Sequence, residues 1–304
     1  MNILITGGSG FIGSHLAEHL HGRTAIRVLD NLRTGHRRNL DGLNVEFIEG
    51  DILDRETVRF AMKGVDFVFH MAAMVSVPES VSKPMECENM NGIGTLHVLE
   101  EAAAAGVKKV FFASSAAVYG DSPTVPKVET MLPEPESPYA ITKLLGEHYC
   151  RFFHDEGRVP TVALRFFNVF GPRQDLRGPY AAAVPIFIEK ALRGDPITIF
   201  GDGGQTRDFI CVKDIVAAIV HVTFTRGLTG VYNAGYGNMM TVNELARKVI
   251  ALTGSSSRIE YLPERAGDVR HSRAAIDSLL ATGFQHASSM DAGLLATMEY
   301  FRGL

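Results

Sequence analysis

Ile3-Leu4-Ile5-Thr6-Gly7-Gly8-Ser9-Gly10-Phe11-Ile12-Gly13 is the stretch on which the fold of this chain turns. Three consecutive apolar residues read as a strand covered on both faces, and the residues beyond Gly13 read as a helix. Between them Gly7, Gly10 and Gly13 form a G-x-x-G-x-x-G array. Each glycine has a mechanical task there: a tight turn, close approach of backbone to a pyrophosphate at a helix N-terminus, and close packing of helix on strand. A lone glycine pattern says little, but one that closes a strand and opens a helix is the arrangement a dinucleotide site requires.

Outward from that turn, short apolar runs alternate with helix-length segments. Asn2–Thr6, Ala25–Asp30, Val45–Gly50, Asp66–Met71 and Lys108–Ser114 read as strands, which predicts an α/β fold with a Rossmann-type, doubly wound parallel sheet. From about Asn168 the pattern loosens into Gly-, Pro- and Arg-containing loops between helices such as Ala181–Arg193 and Thr241–Leu252. Residues 1–167 are therefore expected to form the nucleotide-binding domain, with some later segments returning to it. Residues 168–304 are expected to form mainly a smaller C-terminal α/β substrate lobe. No low-complexity linker or internal repeat separates the two, so one continuous core is expected.

The 304 residues suffice for a core without disulfides, and three widely spaced cysteines, Cys87, Cys150 and Cys211, suggest neither a disulfide framework nor a zinc site. A formal charge of −4 gives no general attraction to nucleic acid or anionic lipid. No apolar run approaches the roughly 18 to 20 residues that span a bilayer. A cytoplasmic protein with no membrane or nucleic-acid partner is expected. His15 and His19 share a helix face, but no glutamate makes them a metal motif, and they are expected to be solvated.

At the end of the second strand, Asp30 places a carboxylate where ribose hydroxyls of a dinucleotide would lie, with Asn31 beside it. That carboxylate would repel a 2′-phosphate, so NAD is favoured over NADP, although Arg33, Arg37 and Arg38 temper the preference. Asp51-Ile52 is placed to meet the adenine edge, or Asp51 begins a helix-capping turn.

Ser137-Pro138-Tyr139-Ala140-Ile141-Thr142-Lys143 puts a tyrosine and a lysine at i and i+4 on one helix face, behind a proline-marked start. A phenol with a reference pKa of about 10 is a poor base near neutrality, and a nearby ammonium and a cationic nicotinamide are expected to lower it. By itself the spacing is common on ordinary helices. It gains weight from Ser114-Ser115-Ala116-Ala117-Val118-Tyr119-Gly120, which carries hydroxyls to the carboxyl edge of the predicted sheet, where doubly wound folds bind ligands. Ser115 can share a substrate oxygen with Tyr139; for Ser114 strand-end capping is the simpler reading.

The glycine array, the Ser-Ala-Ala-Val-Tyr-Gly strand end and the Tyr139/Lys143 pair resemble the extended short-chain dehydrogenase/reductase superfamily, and within it the UDP-hexose 4-epimerases along nearly the whole chain. The resemblance implies Ser115, Tyr139 and Lys143 as the catalytic set. It implies NAD contacts from Gly7, Gly10, Phe11, Ile12, Gly13, Asp30, Asn31, Asp51, Ile52, Met71, Ala72, Ala73, Asn91, Ser114 and Phe167, with His70 preceding Met71. It further implies that NAD is tightly held, accepting a hydride from C4 of the sugar and returning it to the other face of a 4-keto sugar.

For a UDP-sugar the resemblance implies contacts from Ser76, Val77, Asn168, Arg207, Arg265, Asp268 and Ser272, and from Val184 near a helix N-terminus beginning around Pro179. Arginine suits a diphosphate because its planar fork binds two oxygens. Ser272 lies where glucose/galactose-only bacterial epimerases carry a tyrosine, so it leaves room for an N-acetyl group. Related dehydratases and decarboxylating enzymes add an acid after the strand-five hydroxyl, where this chain has Ala116-Ala117-Val118. A 4-reductase or dehydrogenase shares the same core residues. A non-catalytic NAD-binding protein would be expected to lack one of the three, and all are present. The helices Pro84–Ala105 and Pro138–Gly157 imply, by the same resemblance, a two-fold homodimer.

Overall fold

A computed structural model describes residues 1–176, 182–264 and 269–303. Six strands in chain order, β1 (Asn2–Thr6), β2 (Ala25–Asp30), β3 (Val45–Glu49), β4 (Phe67–His70), β5 (Lys109–Ser115) and β6 (Thr161–Phe166), lie side by side as β3-β2-β1-β4-β5-β6, with the strand Gly230–Ala234 beyond β6. Every pairing from β3 to β6 is parallel. The order reverses between β1 and β4, the switch point at which such sheets bind ligands. The expected doubly wound α/β sheet is therefore present.

By contacts the chain divides into two units. The first comprises Met1–Gly120, Leu132–Phe166 and Ala218–Tyr232. Its helices are α1 (Phe11–Leu20), α2 (Arg55–Ala61), α3 (Val77–Ser82), α4 (Pro84–Glu88), α5 (Gly94–Ala104) and α6 (Pro138–Asp155). Leu4, Val68, Val110 and Phe112 of the sheet pack with Val98, Leu99 and Phe153 of α5 and α6, all buried. Each such side chain contributes about 1.5–3 kcal/mol relative to exposure.

Several boundaries differ from the sequence reading by a residue or two, and three of them have a structural cause. β4 begins at Phe67 because the Asp66 carboxylate leaves the strand pattern, accepting the Asn2 N–H at 2.8 Å and pairing with Lys108 at 2.7 Å. β5 extends to Ser115, which then caps a 3-10 turn over Ala116–Tyr119. The single helix expected over 84–105 is α4 and α5 joined through a π turn at Asn89–Ile93. His15 also departs from expectation: it is buried against Phe11 with ring centroids 5.9 Å apart, while His19 is exposed.

The second unit comprises Asp121–Met131, Phe167–Ala217 and the chain from Asn233 onward. Among the described residues it holds three small sheets. β7 (Asn168–Phe170) is parallel to β10 (Phe209–Cys211), and β8 (Ile197–Phe200) to β13 (Ile259–Leu262). β9 (Thr206–Arg207) is antiparallel to β12 (Met240–Thr241); β11 is the strand Gly230–Ala234. The later helices are α7 (Ala183–Arg193), α8 (Val212–Phe224), α9 (Val242–Thr253), α10 (Asp277–Leu280) and α11 (Met290–Arg302). α9 starts on a capping box in which Thr241 and Glu244 satisfy each other's backbone N–H, so Thr241 is the cap and not the first helical residue. Among the described residues no helix is long and apolar enough to cross a membrane.

Gly146 sets how closely α6 approaches β5, since a Cβ there would overlap the Phe112 ring. Gly146→Ala is expected to cost about 1–3 kcal/mol through overpacking, despite alanine's better helix propensity. Urea unfolding of the two proteins measures the difference.

Candidate active site

Ser137 begins α6 by accepting the Ala140 N–H at 3.2 Å, and Pro138 occupies the first turn, where a missing N–H costs nothing. Tyr139 is therefore fixed at the head of the helix. Its own N–H donates to the buried Ser80 hydroxyl of α3 at 3.1 Å, and its carbonyl accepts from Thr142 Oγ1 at 2.9 Å. One turn on, Lys143 is buried and its ammonium donates to the Ala113 carbonyl at 2.8 Å, 5.7 Å from the Tyr139 ring centroid. Ser115 Oγ accepts the Ala117 N–H at 3.1 Å, and its hydroxyl is near enough to the Tyr139 phenol to favour the ionised form of that phenol. The structure thus brings together all three residues expected to carry the chemistry.

The electrostatics correct one expectation. Burial pushes the Tyr139 phenol above its ordinary value, and the Ser115 hydrogen bond opposes this without overcoming it. Burial also pulls Lys143 down to about 8, against the raising influence of Cys87 and Cys150. From the protein's own groups, then, Tyr139 is a protonated phenol near neutrality, and the ammonium alone does not make it a base.

The residues expected around a dinucleotide gather at the switch point. Gly7 has φ +69°, and a Cβ there would come within 2.7 Å of the Ala72 N, so backbone from the ends of β1 and β4 meets at this turn. A Cβ on Gly13 would overlap the Gly7 carbonyl. Gly10 caps α1 without a side chain, so no side-chain cap covers the first turn at Phe11, Ile12 and Gly13, which suits a pyrophosphate. Asp30 accepts the Ser9 N–H and the Leu32 N–H, both at 2.8 Å, binding the ends of β1 and β2 together. Asn31 donates to Asp51 at 2.9 Å, and Ile52 is buried beside them. Asp51 also accepts the Leu53 N–H at 2.9 Å, but the cap of α2 is Asp54. These features fit NAD.

Arg33, expected to temper the preference for NAD, pairs with Glu79 at 2.8 Å and Glu86 at 2.7 Å, and the Arg37 guanidinium lies 3.8 Å from the Phe47 centroid. The His70 ring is buried between Thr6 and Thr95, at 2.8 and 2.9 Å. Because Thr95 Oγ1 already donates to the Asn91 carbonyl at 2.5 Å, it accepts from His70 Nε2–H, leaving Nδ1 to accept from Thr6. Thr6 Oγ1 in turn accepts the Ala72 N–H at 3.3 Å, which holds Met71, Ala72 and Ala73 in place. Asn91, in the π turn, accepts the Met74 N–H at 2.7 Å and donates to the Met74 carbonyl and to Thr142 Oγ1, both at 3.0 Å. Ser114 donates its hydroxyl to Glu147, so neither Asn91 nor Ser114 presents an unengaged side chain.

Ser76 caps α3 by accepting the Glu79 N–H at 3.2 Å, and Val77 follows it exposed. In the second unit, Asn168 donates its N–H and side-chain amide to the Asp208 carbonyl at 3.0 and 3.2 Å, and Arg207 Nη1 donates to the Thr206 carbonyl at 2.9 Å. Phe167 is buried and donates its N–H to the Ala234 carbonyl at 3.0 Å. Val184 lies in the first turn of α7 with its side chain buried. Ser272 is half-buried and donates its N–H to the Thr206 carbonyl at 3.2 Å. Arg265, Asp268 and the residues Pro179–Ala181 lie outside the described residues.

Sequence reasoning missed several residues. Asp208, fully buried, accepts the N–H groups of Tyr236, Gly237 and Ala274 at 2.7–3.0 Å, and burial still pushes it up to about 6. Its place directly after Arg207 was the only signal. Ser80, Glu147 and Arg165 were missed as well, although Glu147 stands one turn beyond Lys143 on α6.

Comparison with known proteins gives this geometry its family. Residues 3–235 match the model of the NAD-dependent epimerase/dehydratase family, and the chain belongs to it. It is similar to the UDP-N-acetylglucosamine 4-epimerase of Methanobrevibacter ruminantium M1 in complex with UDP-N-acetylmuramic acid: TM-score 0.96, 38% identity, 99% of this chain and 98% of that one. It is equally similar to the UDP-glucose 4-epimerase of Thermotoga maritima with UDP-glucose: TM-score 0.95, 40% identity, 100% and 99% covered. A Bacillus cytotoxicus relative, 35% identical over 98% of this chain and 97% of its own length, is a UDP-N-acetyl-alpha-D-glucosaminuronate decarboxylase. The chain is thus an NAD-using enzyme of the UDP-sugar epimerase/dehydratase family.

His70 yields a pH prediction. Burial, with the Lys143 charge adding to it, lowers its pKa to about 3, against 6.5 ordinarily. Between those values the unfolded chain takes up a proton that the folded chain refuses, so stability falls as pH drops below 6.5. From pH 6.5 to 4.5 this amounts to about 2–3 kcal/mol. Urea unfolding should show that increment in the parent protein and not in His70→Gln, whose amide does not titrate.

Proposed function

We propose that the enzyme is a UDP-hexose 4-epimerase that interconverts UDP-N-acetylglucosamine and UDP-N-acetylgalactosamine, and also takes UDP-glucose and UDP-galactose. The observation that carries this reading is the Ser115–Tyr139–Lys143 constellation, with Ala116-Ala117-Val118 directly after Ser115 in place of an acidic residue. Bound NAD would supply the oxidant for C4 of the sugar and a positive charge. The glycine turn, Asp30, Asn31 and Ile52 would hold the dinucleotide, and Lys143 would orient its nicotinamide end. Tyr139 Oη takes the proton of the sugar 4-hydroxyl and returns it once the 4-keto sugar has turned over. Ser115 donates a hydrogen bond to the same oxygen, stabilising negative charge on it.

On this reading the first unit holds NAD and the second holds the UDP-sugar, through Arg207, Asn168, Arg265, Asp268 and the N-terminal turn of α7 at Val184. Ser272 in place of a tyrosine supports the N-acetylated substrate. Three unpaired, buried cysteines suit a reducing cytoplasm. The decarboxylase relative marks the competing reaction, and a 4-reductase or dehydrogenase would use the same core residues. Loss of CO2 from a UDP-uronate or net accumulation of NADH would replace the epimerase reading.

NMR of separate incubations with UDP-N-acetylglucosamine and UDP-glucose, without added NAD, tests it. Both 4-epimers should form; conversion of neither would sink the proposal. Tyr139→Phe should lower kcat by about 10²–10⁴-fold. Ser272→Tyr should depress turnover of the N-acetylated sugar by more than about tenfold while sparing UDP-glucose.

We further propose that two copies pair through the rod formed by α4, the π turn and α5 together with α6, where Met85 of α4, Ile93 of the π turn, and Ile141 and Phe152 of α6 stand exposed as large apolar side chains. Sedimentation equilibrium should give a dimer mass, and Met85→Glu with Phe152→Glu should give a monomer.

A further inference from the structure

Glu147 and Arg165 form a buried ion pair that the chemistry above leaves unused. Glu147 Oε1 accepts from Arg165 Nε at 2.9 Å and Oε2 from Nη2 at 2.7 Å, a bidentate fork with both side chains only 5% exposed. Glu147 Oε1 also accepts the Ser114 hydroxyl. Ser114 and Arg165 are partners across β5 and β6, so one carboxylate from α6 bridges a single rung of the sheet. The guanidinium lies 4.8 Å from the Tyr119 centroid and hydrogen-bonds the Tyr119 side chain, so the turn after β5 is tied in too.

Three consecutive residues at the end of β5 are thereby held by three successive turns of α6. Ala113 is held through its carbonyl by Lys143, Ser114 by Glu147, and Ser115 by Tyr139. A slip of α6 by one residue, about 1.5 Å, would break all three. Buried ion pairs are seldom more stable than well-packed apolar residues, but their hydrogen bonds are directional and fix orientation. We propose that Glu147 and Arg165 are positioning residues, which set the register of α6 on β5 and so align the Ser115 hydroxyl with the Tyr139 oxygen.

The importance of that alignment rests on the reading of Tyr139 as proton carrier, so the test includes a measurement independent of turnover. Glu147→Gln, Arg165→Lys and the apolar pair Glu147→Leu with Arg165→Met are compared with the parent as NAD-loaded enzymes, with urea unfolding to establish that each is folded. Ultraviolet difference titration against the matching Tyr139→Phe protein reads the Tyr139 phenol alone. Loss of the Ser115 bond should raise its midpoint by about one unit. In the epimerisation assay kcat should fall about tenfold or more, with KM changed less than about threefold.

A folded variant with the parent's Tyr139 titration and kcat overturns the proposal, as does failure of all three to fold, which would make the pair purely structural. A shifted titration in a protein that epimerises no UDP-sugar would uphold the positioning role and reject the assigned reaction.

Discussion

An ammonium taken out of water must be hydrogen-bonded or it neutralises, and the Lys143 side chain meets that demand with the carbonyl of Ala113. That bond draws α6 down to the end of β5. Only a glycine at 146 permits the approach, because the Phe112 ring lies directly beneath. The same burial pulls the lysine down to about 8 and drives the Tyr139 phenol up, so both groups are biased toward their neutral forms, and a neighbouring positive charge would favour ionisation of the phenol alone.

Around this centre the polar groups work in relays. Ala72 N–H, Thr6, His70, Thr95 and the Asn91 carbonyl form one unbroken sequence of donors and acceptors from β1 through β4 to the π turn. A histidine in the middle of it must stay neutral, since both ring nitrogens are already assigned, one as donor and one as acceptor. Such a relay is costly to leave half-made and therefore specifies one arrangement of the loops it joins.

The sheet was legible because parallel strands must be apolar on both faces, and Ile3-Leu4-Ile5 and Val110-Phe111-Phe112 announce that directly. The Tyr139/Lys143 pair was legible because capping and i+4 spacing are local rules. Glu147, Arg165 and Asp208 were not, because their partners lie far along the chain; Ser80 was hidden for the same reason. The direction of the Tyr139 shift also escaped the sequence, since burial is a property of the folded surroundings and not of the neighbouring charge. Local chemistry can be read in one dimension; desolvation cannot.

The π turn at Asn89–Ile93 inserts one more residue into its loop than an α-helix would. One residue is about 100° of rotation, so α4 and α5 are segments of one rod whose faces are out of phase. Residues N-terminal to the turn and residues C-terminal to it must therefore be assigned to inner and outer faces by two separate wheels. The helix behaves as a keyed shaft: α4 faces α3 and α6 before the key, and α5 faces α2, β4 and again α6 beyond it, so α6 is met by both halves on different wheels.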